Sequence, residues 1–237
     1  MKVCQAVFVS DSTKRDGSQY LLSRSRGIDG RLVEQLMAWI PACNELVDGQ
    51  TESINFFRPA INKLAFSRSV NAHPANRQIE GSRLVTTTIV LELNQLSGFE
   101  NNAALFANVV RSLGHLYLQA CVGPELPVLD VPDHSIRKVA DCLGNIDPSQ
   151  AESISRAVNI HKQVAIFGNI DPIAWLCSFL SLLPTEQRWQ TSFSTGLRVD
   201  SQRPFNLHFF REETPWLSKE LVQAQIRTIS LAPRQVA

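Results

Sequence analysis

The sequence predicts an α+β protein in two parts: a mainly antiparallel sheet with helices over residues 1–130, and a smaller mixed α/β unit over residues 136–237. Three observations lead there. The first third is a series of apolar, β-branched segments parted by turn residues. The last third alternates helical and strand patterns. Between them Pro124, Pro127 and Pro132 crowd the stretch from Cys121 to Ser135, as a linker would.

Val3 to Val9 is apolar and β-branched, and Gln19 to Arg24 follows the polar turn DSTKRDG, where Asp16-Gly17 suits a positive φ. A helix is expected from Gly30 to Ile40, with Asp29 as N-cap and Pro41 closing it. Its Leu32, Val33, Leu36, Met37, Trp39 and Ile40 form one broad apolar stripe. Strands then fit Ser53 to Phe57 and Leu64 to Val70. In the second, Leu64, Phe66 and Arg68 alternate with Ala65, Ser67 and Ser69. NAHPANRQIEG, residues 71–81, reads as a polar loop. Leu84 to Leu93 carries five consecutive β-branched residues, Thr86 to Val90, the strongest strand pattern in the chain. A helix from Asn102 to Leu118 would bury Leu105, Phe106, Val109, Val110 and Leu113.

In the second part GNIDP occurs twice, at Gly144–Pro148 and Gly168–Pro172. Each copy sets Asp as an N-cap and Pro at the first helical position, so it is shared punctuation and not a duplicated unit. Helices should begin at Pro148, Pro172 and Pro215. Strands fit Val164 to Phe167, Thr191 to Ser194 and Asn206 to Phe210.

Composition excludes several functions. With 23 basic and 22 acidic residues, the formal charge is +1, and no basic-aromatic stripe offers a footprint for nucleic acid. The most apolar segment, Ile173 to Leu183, is about half the length that crosses a bilayer. The start, MKVCQAVFVSDS, is too short and interrupted for a secretory signal. Five cysteines, at 4, 43, 121, 142 and 177, are an odd count without a C-x-x-C pair, which predicts reduced, mostly buried thiols in a cytoplasmic protein. Neither a P-loop nor a dinucleotide fingerprint occurs, and the histidines 73, 115, 134, 161 and 208 have no zinc spacing. No cofactor and no metal is expected.

The stretch QTSFSTGLRVDSQRPFNLHF, residues 190–209, concentrates the candidate chemistry. Ser194 and Gly196 match half of a nucleophile elbow, with His208 and Asp200 nearby, but Ser192 stands where the first glycine belongs. Strand-and-turn architecture explains the pattern without hydrolysis. Thr195, Gly196, Arg198 and Arg203 form a candidate contact for an anion or a partner, through hydroxyl, backbone N–H and guanidinium groups. Arg24, Arg26 and Arg68, on or beside strands, are a candidate basic face, to which Arg77 and Arg83 could add.

Further segments carry a family likeness. YLLSRSRGID (20–29), WIP (39–41), SINFFRP (53–59), KLAFSRSV and RLVTTTIVLEL resemble the N-terminal domain of the bacterial GTPase-associated protein 1 family. VAIFGNIDPIAWLCSFLSLLP (164–184) and TSFSTGLRVDSQRPF (191–205) resemble its middle domain. The resemblance implies a cytoplasmic accessory protein of a small-GTPase-centred bacterial signalling or conflict system. In that reading the chain is not an enzyme but an interaction component, whose partners are a small Ras-like GTPase and its companion proteins. The alternative is a GTPase regulator that supplies Arg198 or Arg203 to a partner's phosphates. The family supplies no catalytic residue to transfer.

Overall fold

The computed structural model describes residues 1–12, 19–72, 83–117, 123, 125–132 and 146–231. The chain divides into two units, Met1–Gln95 with Val109–Asp133, and Leu96–Asn108 with His134–Ala237. The architecture is α+β.

The first unit is built on β1 (Lys2–Asp11), β2 (Gln19–Arg24), β3 (Glu52–Ala60), β4 (Lys63–Ala72) and β5 (Arg83–Glu92). Their order is β2-β1-β5-β4-β3, every pair antiparallel. The β-branched run predicted at 84–93 becomes β5, paired along both edges with β1 and β4 and buried on both faces over Leu84–Leu91. Residues 64–67 of β4 are likewise buried on both faces, so the alternation seen in the sequence does not divide core from solvent.

α1 (Gly30–Met37) starts where Asp29 accepts the Leu32 N–H at 2.8 Å, as expected of that N-cap. It ends three residues before Ile40, at the Ala38 cap, but the stripe persists past the helix: Leu32, Leu36 and Ile40 are buried. Trp39 stacks on Phe57 at 4.9 Å, fixing the end of α1 over that face of β3. Each buried side chain of this size contributes roughly 1.5–3 kcal/mol.

The segment expected as a linker is packed where it is described. β6 (Leu129–Asp130) pairs with β1, Leu126 donates its N–H to Arg24, and the Pro127 carbonyl accepts from Gln5 Nε2 and Ser25 Oγ at 2.8 and 3.0 Å. Proline removes a donor but keeps its acceptor, so a proline-rich segment can still be tied down through carbonyls.

A 3-10 helix (Leu93–Phe99) leads to α2 (Ala103–Ser112), with Asn102 Oδ1 accepting the Ala104 and Leu105 N–H groups. The helix expected to reach Leu118 stops early because Gly114 takes φ +76°. His115 N–H then reaches back to the Val110 carbonyl at 2.9 Å, a left-handed cap that only glycine adopts without cost. Leu113, expected in the core, is exposed as a result.

The second unit holds α3 (Pro148–His161), β7 (Val164–Phe167), α4 (Pro172–Leu182), α5 (Thr185–Arg188), β8 (Phe193–Thr195), β9 (Leu207–Phe210), α6 (Pro215–Gln223) and β10 (Arg227–Ser230). Its strand order is β10-β7-β9-β8, all parallel. The three proline-led helices begin where predicted, capped by Asp147, Asp171 and Thr214. β6 and β10 were not foreseen: two residues are too few for a pattern, and RTIS in β10 has little apolar character. Asp16-Gly17, most of the 71–81 loop and the start of the first GNIDP copy lie outside the described residues.

Candidate functional site

The stretch 190–209 forms two parallel strands and the crossover between them, not a strand, a turn and a return strand. β8 and β9 are direct neighbours, with Phe193, Ser194 and Thr195 opposite Leu207, His208 and Phe209. Parallel neighbours need a connection that travels back along the strands, most often a helix. Here residues 196–206 make the journey without one. Gly196 opens it at φ +66° and donates its N–H to Phe209. Leu197 and Phe205 anchor its two ends in the core.

That geometry separates the two arginines. Arg203 is only 3% exposed and pairs with Asp200 at 2.9 Å, closing the turn in which the Asp200 carbonyl also receives the Arg203 N–H. It is an internal strut. Arg198 is half-buried, its guanidinium 4.3 Å above the ring of Trp216 on α6, while Trp216 itself is 46% exposed. Burial pushes the Glu220 carboxyl up, and the nearby Arg198 charge offsets part of that rise. Thr195 is half-buried and Gly196 buried, so of the four candidate residues Arg198 offers the most chemistry to a partner.

Ser194 and His208 do meet. Ser194 Oγ lies 3.1 Å from His208 Nδ1, and His208 Nε2 lies 3.3 Å from Gln163 Oε1. With Gln163 as acceptor at Nε2, Nδ1 is left to accept the serine proton. Yet Ser194 is 0% and His208 1% exposed, and among the described residues an amide, Gln163, and not a carboxylate orients the ring. Burial lowers the His208 pKa to about 4, against a smaller opposing effect of a backbone bond to Phe205. The pair is a neutral cross-strand tie. A nucleophile that no substrate reaches performs no acyl transfer.

The arginines proposed as a basic face are not brought together. Arg68 on β4 pairs with Glu52 at 2.8 Å and lies 4.5 Å over the Tyr117 ring. Arg24 stands opposite Ala6, and Arg68 stands in a row with Thr87 and Val7, so alternation places them on opposite sides of the strands. Arg26 is an exposed residue paired with Glu125 at 2.7 Å. Arg83 pairs with buried Asp11 at 2.9 Å, and Arg77 lies outside the described residues. Each cation described with a carboxylate has its charge answered locally.

Cys4, Cys43 and Cys177 are free thiols, of which only Cys177 is buried, so the expectation of mostly buried cysteines fails for two of the three described. Burial raises the Cys4 thiol pKa, which disfavours a reactive thiolate there. Among the described residues no group of three His, Cys, Asp or Glu side chains could hold a metal ion, and no helix is long and apolar enough to cross a membrane.

Sequence reasoning missed Trp216. Its signal was present: an aromatic residue directly after the helix-initiating Pro215 must face outward on the first turn or find a lid. No family model matches the chain, and neither the curated proteins nor the solved structures provide a match.

Proposed function

We propose that the chain is a non-catalytic interaction component that works beside a small GTPase and its companion proteins in a bacterial signalling or conflict system. The observation that carries the non-catalytic part is the burial of Ser194 and His208, the nucleophile and base that the sequence offered. With that pair sealed, the remaining polar character of 190–209 goes into holding a crossover. The exposed feature beside it is Trp216 with Arg198 across its face, residue types that dominate binding energy at protein interfaces. The GTPase partner rests on the residue resemblance of 164–184 and 191–205 and of the N-terminal segments.

A second reading keeps a specific observation in its favour. A regulator that inserts an arginine at a partner's phosphates would stabilise charge in phosphoryl transfer. Arg198 fits that role better than Arg203, whose guanidinium is buried against Asp200. The test is GTP hydrolysis by a small GTPase encoded beside this chain, measured with and without the protein and alongside co-purification of the pair. Co-purification with an unchanged rate supports the interaction component. A rise in rate that Arg198→Ala abolishes while binding survives establishes the regulator instead. Absence of both binding and rate change removes the GTPase from either reading.

A further inference from the structure

We propose that a cleft at the N-terminal ends of the parallel strands binds a small uncharged ligand of single-sugar size through side-chain amides and hydroxyls. The proposal is independent of the GTPase reading. The cleft encloses about 210 Å³ and lies within the second unit, where α3, α4 and α5 meet the residues leading into β7, β8 and β9.

One wall is fixed. Asn206 Oδ1 accepts from both the N–H and the hydroxyl of Ser192 at 2.9 Å, and its Nδ2 donates to the Lys162 carbonyl at 3.0 Å. Lys162 holds φ +66°, an uncommon conformation for a side-chain-bearing residue, and the Asn206 bond helps hold it there. The floor is apolar, formed by Phe179, Leu183 and Val158. Over it stand four polar side chains, Ser155, Asn159, Gln187 and Gln190, that have no hydrogen-bond partner among the described residues.

The lining decides the ligand class by its charges. Among the described residues no carboxylate, histidine or cysteine borders the cleft, so these residues offer little to a metal ion or an organic cation. The one cation among its described lining residues, Lys162, donates one of its three ammonium N–H groups to the Asn159 carbonyl at 3.1 Å, and no second cation stands beside it to clamp an anion, which is why phosphate serves as the control below. A purely apolar ligand would strip water from three amides without repaying them. Each amide carries a donor and an acceptor side by side, the arrangement that pairs with neighbouring hydroxyls, while the apolar floor suits the C–H face of a ring. The volume is below the roughly 300–1,000 Å³ of clefts that take drug-sized molecules, which sets the size at one ring.

The test is two-dimensional NMR of the full chain, following the side-chain amide signals of Asn159, Gln187 and Gln190 during titration with glucose, with N-acetylglucosamine, and with inorganic phosphate. Saturable shifts of these signals with either sugar, absent with phosphate, are expected. The sugar that shifts them at the lower concentration tells whether an acetamido group adds to the hydroxyls. Gln187→Leu/Gln190→Leu, at exposed positions that leave the fold intact, should raise the half-saturating concentration at least fivefold. Absence of saturable shifts with both sugars in the unaltered protein overturns the proposal, as do shifts confined to residues away from the cleft. Saturation unchanged by the double substitution overturns it too.

Discussion

The strands β3, β4 and β5 and the strands β7, β8 and β9 bury themselves in opposite ways. Across the first set run two rows of small polar side chains, Ser53–Ser69–Thr86 and Asn55–Ser67–Thr88, all 0% exposed. Ser69 and Thr86 hydroxyls meet at 2.8 Å, Ser53 donates to Asn55 Oδ1 at 2.8 Å, and Asn55 Nδ2 reaches Ser67 at 3.2 Å. β7 and β9 are four residues long and buried throughout, with Ser194–His208 as the polar exception on β8 and β9. Five of these six side chains find a partner across or along the strands, Thr88 Oγ1 being the buried exception, and long antiparallel strands offer many such neighbours. Short parallel strands covered on both sides deliver few, so they fill with Val, Ile, Leu and Phe.

If that comparison holds, the largest single effect should come from an apolar side chain of the parallel set. Phe209, packed edge-on against Trp175 at 5.4 Å, leaves a cavity when changed to alanine, and Phe209→Ala should cost about 3–5 kcal/mol in urea unfolding. A loss under 1 kcal/mol would mean that the parallel strands are not held by packing.

Next comes acid. His208 titrates at about 4 when folded, below its ordinary 6.5, so the unfolded chain takes up the proton first. Stability is therefore complete above pH 6.5 and falls as the pH drops toward 4, by about 3 kcal/mol at roughly 1.4 kcal/mol per pH unit. Urea midpoints measured across that window should decline, and His208→Gln should flatten this part of the decline. The polar rows of β3–β5 contain no titratable group and add nothing to it.

Within those rows the effect is smaller. Ser69→Ala and Thr86→Ala should each cost about 1–3 kcal/mol, because each leaves a buried hydroxyl without its partner. The double variant should cost less than the sum, by about 1 kcal/mol of coupling in a double-mutant cycle. Additive losses would show that the hydroxyls do not act as a pair. Smallest is a change at the surface: Arg198→Ala removes the charge that holds the Glu220 carboxyl down, so carbon-detected NMR titration should place its pKa higher than in the unaltered protein.

Much of the framework was legible because its signals are local. Asp29, Asp171-Pro172 and Thr214-Pro215 start helices through bonds spanning two or three residues, and each was read from the sequence. Thr86 to Val90 announced β5 by stiffness of the side chains alone. The candidate site was legible only as a cluster. Ser194, His208, Arg198 and Arg203 were all in view, but whether Arg203 faced a partner or Asp200, and whether Ser194 faced water or the core, depends on β8 and β9 being parallel neighbours. Spacing along the chain does not encode that direction.

The sequence by itself determined the α+β class, most strand and helix starts, and the absence of any standard nucleotide or zinc motif, because caps, turns and periodicity act over a few residues. The tertiary structure alone decided that α2 ends at Ser112, just before Gly114, that 125–131 joins the first unit, and that Arg26, Arg68 and Arg83 are paired locally with Glu125, Glu52 and Asp11 instead of forming one basic face. It also decided that a serine and a histidine fourteen residues apart form a sealed tie while Arg198 rests on Trp216. Those outcomes are contacts between segments distant in sequence, and their energies depend on which faces meet and how much water is removed between them.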